Sequence, residues 1–335
     1  MAKQAIGGRE VERFREDFVR LEATLGGVIV GQTAVIRELL TAILGAGNVL
    51  LEGLPGLGKT HLVKALANAI GFPLSRVQCT PDLLPADITG SEFLLHGERA
   101  GEDADLVFRP GPIFASLVLV DEINRATSRT QSALLEAMQE HHVTQGGKQY
   151  PLPSPFWVIA TQNQIELEGT YPLPEAQLDR FFFKCEIRYP SGDALAAIAN
   201  VSLDQEPADH VARVLAAGRI EDMMKLTHGV VIAERVVRAA VDLVLATHPE
   251  QMVAHSAARE HIRYGASPRA LQTLLRAGRV LALLDGRGHV AREDLREAAL
   301  PALRHRVLLT LESEVDGVSA NDVIERIVAD WDRDR

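Results

Sequence analysis

Gly53-Leu54-Pro55-Gly56-Leu57-Gly58-Lys59-Thr60 fits the pattern G-x-x-x-x-G-K-[ST]. Glycines in such a loop leave backbone N–H groups free to close around phosphate oxygens, where a side chain would block them. A helix starting just behind the loop adds favourable partial charge. Lys59 would reach the β- and γ-phosphates, and the Thr60 hydroxyl would ligate Mg²⁺. A second stretch, Leu117-Val118-Leu119-Val120-Asp121-Glu122, is four apolar residues ending in two acids. Asp121 would hold the magnesium shell, and Glu122 would orient and polarise an attacking water. The chemistry these types and spacings suit is hydrolysis at the phosphates of a magnesium-bound nucleotide.

Both stretches need elements that bring them together. Asn48–Leu51 reads as a short buried strand. His61–Ile70 reads as a helix, with Leu62, Val63, Leu66, Ala69 and Ile70 at helical spacing. Strand, glycine loop and helix in this order turn a weak pattern into a strong one. Further apolar runs without strict alternation, at about 75–79, 117–121, 156–161 and 182–187, read as strands covered on both faces, with helices between them. The expected fold class is α/β, a three-layer αβα sandwich on a parallel sheet. A buried strand stopping at Asp121-Glu122 delivers both carboxylates to the sheet's C-terminal edge, beside the phosphate loop.

Val11, Phe14, Phe18, Leu21 and Leu25 form a one-sided stripe, an amphipathic helix that Gly26-Gly27 is expected to end. Val28–Gln32 is a short apolar turn before a helix from Thr33 to about Leu44. Residues 83–115 and 142–157 are too long for plain connectors. The second reads as a hairpin turning at Gly146-Gly147. After Tyr189-Pro190 the chain becomes rich in alanine and leucine, with helices expected at about 208–217, 234–247, 267–284, 291–309 and 320–332. Three units follow: an N-terminal helix over 1–26, an α/β core over 27–190 and a small all-helical lid over 191–335.

Bulk properties narrow the function. The 335 residues carry a net charge of −10, which opposes sequence-independent attraction to nucleic acid or an anionic membrane. Cys79 and Cys185 suggest no disulfide framework. No apolar segment has the form of a signal peptide or a membrane span, so the expected location is cytoplasmic. The eleven histidines show no metal-ligand spacing, and no serine or cysteine nucleophile arrangement appears.

Taken together these residues resemble the AAA+ ATPases, and within them the MoxR family. The likeness is carried further by Thr80–Gly90, Phe108–Phe114, Asp121–Ala126 and Gly169–Phe181, and runs from about residue 25 to 310. The resemblance implies further roles. Asn163, after the expected strand, is similar to the sensor that positions water near the γ-phosphate. Arg180 in Leu178-Asp179-Arg180-Phe181 resembles an arginine finger reaching the ATP of a neighbouring subunit. Ser267-Pro268-Arg269 opens a helix, with Ser267 suited to the N-cap and Pro268 to the first turn. A cation there opposes the helix dipole unless it holds an anion. Arg269 accordingly resembles the second sensor, touching the γ-phosphate from the lid.

Ile29, Val30, Gly31 and Gln32 match the segment lining the adenine, and the nucleotide-contact set extends through Leu54–His61 and to Pro268. Arg109, Arg125 and Arg129 are candidates for subunit contacts. Two departures are Gln164 where the family has proline, and Thr127-Ser128-Arg129 where it has Pro-Pro-Lys. The implied assembly is a homo-oligomeric, hexameric ring using ATP and Mg²⁺, a protein client, and a partner with a von Willebrand factor A domain. Two other readings compete: an ATP-dependent binding switch, and a nucleic-acid motor, which the acidic balance and the lack of an aromatic-basic stripe disfavour.

Overall fold

A computed structural model describes residues 6–95, 105–163, 170–199, 208 and 211–333. Its centre is five parallel strands: β1 (Val49–Gly53), β2 (Leu74–Gln78), β3 (Leu117–Asp121), β4 (Trp157–Asn163) and β5 (Phe183–Ile187). They lie in the order β2-β3-β4-β1-β5, with Gln78 level with Asp121 and Gly53 level with Asn163. Side chains along each strand alternate between two buried layers. Leu50, Val118, Val120, Val158 and Ala160 face one cluster, which includes Leu134, Leu135, Met138 and Phe181. Val49, Leu51, Leu117, Leu119, Trp157 and Ile159 face the other. The apolar runs without polar alternation are thus explained, because neither face meets water.

The second cluster continues without a break through Phe14, Phe18 and Leu21 of the N-terminal helix into Leu274, Leu281, Leu295, Leu303 and Trp331 of the C-terminal helices. That helix runs Gly8–Val28, past the Gly26-Gly27 pair expected to stop it. Glycine costs a helix about 1 kcal/mol. Burial of Leu25 and Ile29 on either side, with Ile29 N–H bonded to Leu25 O, keeps the last turn formed. Asp17 pins the helix to the C-terminal part through Arg219, at 2.5 Å, and also pairs with Arg20.

The C-terminal part has helices Arg219–Gly229, Glu234–Ala246, Ser256–His261, Pro268–Leu284, Arg292–Leu303, Leu311–Val315 and Ala320–Arg333. Two expectations need correcting. The stretch from 211 to 218 is not helical: the N–H groups of Val214 and Leu215 bond to Ala69 O, and the helix starts only after Gly218. The helix expected to reach 309 ends at Leu303. Arg304–Arg306 turn inward, and Leu308-Leu309 pairs antiparallel with Ile262–Tyr264.

The two long insertions are both hairpins. After a short helix, Pro85–Thr89, strand Gly90–Leu95 pairs with Asp105–Pro110. His142–Gln145 pairs with Lys148–Pro151 across Gly146-Gly147, both at positive φ, as a two-residue turn of this kind requires. Phe108 stacks on Tyr150 with centroids 4.0 Å apart, so the hairpins touch. Among the described residues no helix is long and apolar enough to cross a membrane.

Candidate nucleotide site

Five of the residues read from the sequence meet at the C-terminal edge of the sheet. Gly56 and Gly58 both lie at φ +81, a conformation open to glycine but strained for other residues, and Gly58 leads directly into helix Lys59–Ile70. Lys59 is buried. Its Nζ donates to Gly53 O at 2.7 Å, Leu54 O at 2.9 Å and Asn163 Oδ1 at 2.8 Å. The Thr60 hydroxyl donates to Asp121 Oδ2 at 3.1 Å, and Thr161 Oγ1 donates to Asp121 Oδ1 at 2.5 Å. A hydroxyl and a carboxylate side by side are hard oxygen donors of the kind Mg²⁺ takes, while the buried ammonium and positive-φ glycines suit phosphate.

Glu122 sits just past the strand in the left-handed region, φ 57 and ψ 50. Such a backbone is costly for a side-chain-bearing residue, on the order of 1–3 kcal/mol. It is held there by Glu122 N–H bonding to Thr161 Oγ1 at 2.9 Å. The Glu122 carboxylate accepts from Asn163 Nδ2 at 3.2 Å on one oxygen. Its other oxygen accepts from Gln78 Nε2 and Arg125 Nη1, both at 3.0 Å. Asn163, buried at the end of β4, therefore bridges the lysine and the glutamate.

Strand β2 supplies two residues that motif reading passed over. Arg76 donates to Asp121 Oδ2 at 2.7 Å and to Gln78 Oε1 at 2.7 Å, and Gln78 reaches Glu122. The available signal was polar residues two apart on a strand level with Asp121, which places them on one face. Cys79 follows on the buried side. Burial first, then the Asp121 and Glu122 charges, push its thiol up to about 12, so it stays protonated and is no nucleophile.

The segment expected to line the base lies against this loop. An added Cβ on Gly58 would touch Ile29 Cδ1 at 3.4 Å, and one on Gly31 would meet Ala194 Cβ at 2.8 Å. Gln32 is buried and donates to Arg188 O at 2.7 Å. Val30 is half-buried, and His61 is exposed on the first turn of the loop's helix. Of the arginines expected at subunit contacts, Arg125 is tied to Glu122, while Arg109 and Arg129 are exposed. Thr127 caps helix Ser128–Glu140, so Thr127-Ser128-Arg129 starts a helix as written. Gln164 and Gly169 lie outside the described residues.

Arg180, Pro268 and Arg269 do not join this cluster. Ser267 does cap helix Pro268–Leu284, accepting from Arg269 N–H at 3.2 Å. Arg269, however, reaches Gln139 Oε1 at 3.2 Å and Asp179 Oδ2 at 3.6 Å. With Arg180 it lines a cleft of about 180 Å³ shared by Gly47, Asn48, Phe156 and Phe182. Those last four precede β1, β4 and β5, so the cleft opens at the N-terminal edge of the sheet. The five residues of β1 alone separate the edges by about 16 Å. Pro268 and Arg269 therefore lie away from the glycine loop of their own chain. The helix is placed as read, and Asp179 and Gln139 hold Arg269 at the N-terminal edge.

Comparison with known proteins follows the same outline. Residues 48–183 match the model for the "ATPase family associated with various cellular activities (AAA)", and residues 254–327 match an AAA lid domain. The chain is similar to the chaperone MoxR1 of Mycobacterium tuberculosis, 40% identical over 90% of this chain and 78% of that protein. It is similar to protein MoxR of Paracoccus denitrificans, 33% identical over 89% of each. A solved structure from Cytophaga hutchinsonii, described as an ATPase, superposes with a TM-score of 0.84 at 37% identity, covering 96% of both chains.

Proposed function

The chain belongs to the MoxR family of AAA+ ATPases, and from that premise we propose that it hydrolyses MgATP at sites shared between neighbouring copies of a ring. In this reading Gly53–Thr60 cradles the triphosphate, and Ile29, Val30, Gly31 and Gln32 line the base. Thr60 and Asp121 hold Mg²⁺, which screens charge developing on the phosphate oxygens. Glu122, aimed by Gln78, Arg125 and Asn163, orients the attacking water and accepts its proton. Lys59 steadies the terminal phosphates.

The observation that carries the reading is the separation of charge across the sheet. Lys59, Thr60, Asp121, Glu122 and Asn163 occupy one edge, and Arg180 and Arg269 the other. Head-to-tail packing places one copy's second edge on the next copy's first, and a rotation that closes gives a ring, a hexamer in the family this chain resembles. Arg180 and Arg269 then act on the neighbour's γ-phosphate, as a finger and a sensor supplied in trans.

Turnover in such a ring reshapes a protein client, a chaperone-like role supported by the name of the Mycobacterium relative. The family resemblance supports a von Willebrand factor A domain partner and a cytoplasmic setting. The division into N-terminal helix, core and lid at about 26 and 190 belongs to the same proposal.

The test is complementation. Chains with Glu122→Gln keep Arg180 but lack a working water-orienting group, and chains with Arg180→Ala keep the water-orienting group but lack Arg180. Each alone is expected to be inactive, and an equimolar mixture to recover about a quarter of wild-type turnover, the share of interfaces pairing the two intact halves. A mixture as dead as its parts would reject a shared site.

A further inference from the structure

The segment bearing Arg180 is gripped from the lid. Arg306, whose side chain is only 2% exposed, spends four of its hydrogen bonds on three residues flanking Arg180. Its Nε donates to Asp179 Oδ1 at 2.9 Å, and Nη2 donates to Asp179 O at 3.2 Å and Phe181 O at 2.6 Å. Nη1 donates to Phe182 O at 3.2 Å, and also to Ala302 O at 2.5 Å. His305 Nε2 donates to the same Phe181 O at 3.1 Å. Ser267 Oγ, the cap of the helix carrying Arg269, donates to Asp179 Oδ1 at 2.6 Å. Arg180 between them has a buried Nε without a hydrogen-bond partner.

This is an expensive way to hold a turn. A guanidinium taken out of water must be repaid by well-aimed partners, and burial pulls Arg306 down to about 10, still charged at neutral pH. The partners are mostly main-chain carbonyls, so the bonds fix backbone direction on both sides of Arg180. Without them Asp179–Phe182 keeps the local bonds of Asp179 N–H to Glu175 O, Arg180 N–H to Gln177 O and Phe181 N–H to Leu178 O, with Phe182 N–H on Asn48 O, His305 on Phe181 O and Ser267 on Asp179. The lid reaches the segment from two places, Ser267 and Arg306, and Arg304 anchors the second by pairing with Glu186 at 3.3 Å and Glu38 at 3.6 Å.

We propose that Arg306 is a positioning residue for hydrolysis: it sets the direction of Arg180, so that the lid of one copy controls the rate at the phosphate site of its neighbour. Arg306 touches no substrate in this scheme. Its effect passes through the Asp179–Phe182 backbone, and a shift in the lid re-aims Arg180 together with Arg269, which the lid itself carries. The proposal rests on the shared-site reading above and deepens it.

A misaimed catalytic group by about 1 Å can cost about 10²-fold. Arg306→Lys keeps the buried charge and discards most of the fork of hydrogen bonds. Its turnover at saturating ATP is expected to fall about 10²-fold, with ATP binding at its own Lys59 edge unchanged. Mixed with Glu122→Gln chains, which offer a well-aimed Arg180, it should recover as far as the Arg180→Ala mixture does. Mixed with Arg180→Ala chains it should recover nothing, because neither copy supplies an aimed arginine.

Unchanged turnover in a folded, assembled Arg306→Lys protein overturns the proposal. So does a loss that Glu122→Gln chains fail to restore while they restore Arg180→Ala. If they restore neither, the shared-site reading has failed and takes the proposal with it. Should Arg306→Lys not fold, Ser267→Ala removes one hydroxyl from Asp179. A severalfold loss with the same pattern of recovery supports the coupling, and full activity overturns it.

Discussion

The two edges of the sheet are built on opposite plans. At the C-terminal edge every charge is answered within the core: Lys59 by three acceptors, Asp121 by Thr60, Thr161 and Arg76, Glu122 by Gln78, Arg125 and Asn163. Core strands and their loops supply all of it. At the N-terminal edge the carboxylate of Asp179 is answered from the lid, by Ser267, Arg306 and Arg269, and Arg180 keeps an unanswered Nε. The first edge satisfies its own charges from within the core. The second carries Arg180 on a segment held by the lid. On the proposed reading, binding and rate are set by different parts of different copies.

Substitutions at each edge should separate the two. Arg180→Ala is expected to have the largest effect, a fall in turnover of about 10³–10⁵-fold, while nucleotide titration gives unchanged affinity, because the finger answers charge that develops during reaction. A matching loss of affinity would mean that the residue binds the nucleotide before reaction instead. Glu122→Gln follows, with about 10²–10⁴-fold lower turnover and retained MgATP. Residual hydrolysis near wild type would remove Glu122 from its role.

Arg76→Ala acts in the other direction. Arg76 competes for Asp121 Oδ2, so its removal should lower the half-saturating Mg²⁺ by about two- to fivefold, a modest change because Arg76 is half-exposed. A higher magnesium requirement would contradict that geometry.

The smallest effect concerns pH. Burial, with Arg306 beside it, holds His305 well below its usual value of about 6.5. The folded chain then binds fewer protons than the unfolded chain below pH 6.5. Stability from this residue is present above that pH and is lost as pH falls, at up to about 1.4 kcal/mol per pH unit. His305→Gln should flatten that part of the stability profile between pH 6.5 and 5 in denaturant titrations. An unchanged slope would show that His305 is not its source.

How much could be read beforehand tracks how local each signal is. The phosphate loop, the Asp121-Glu122 strand end and the five strands are contiguous patterns, and each lies where its spacing put it. Ser267, Pro268 and Arg269 were equally legible as a capped helix start. Which edge that start reaches was not, because Asp179 and Arg306 decide it from 88 and 127 residues apart in their pairings. Arg76 and Gln78 belong to no motif and gain meaning only from the register of β2 on β3. The helix expected over 208–217 is not formed from 211 on, because the N–H groups of Val214 and Leu215 are taken by Ala69 O, a tertiary bond that no local propensity reveals.

The most direct measurement is ATP turnover per chain against protein concentration, with sizing at each point. The account expects turnover to rise steeply with concentration and level off in step with assembly, because no copy holds both Glu122 and a usable Arg180 at one site. A concentration-independent turnover from a chain that sizes as a monomer would contradict it.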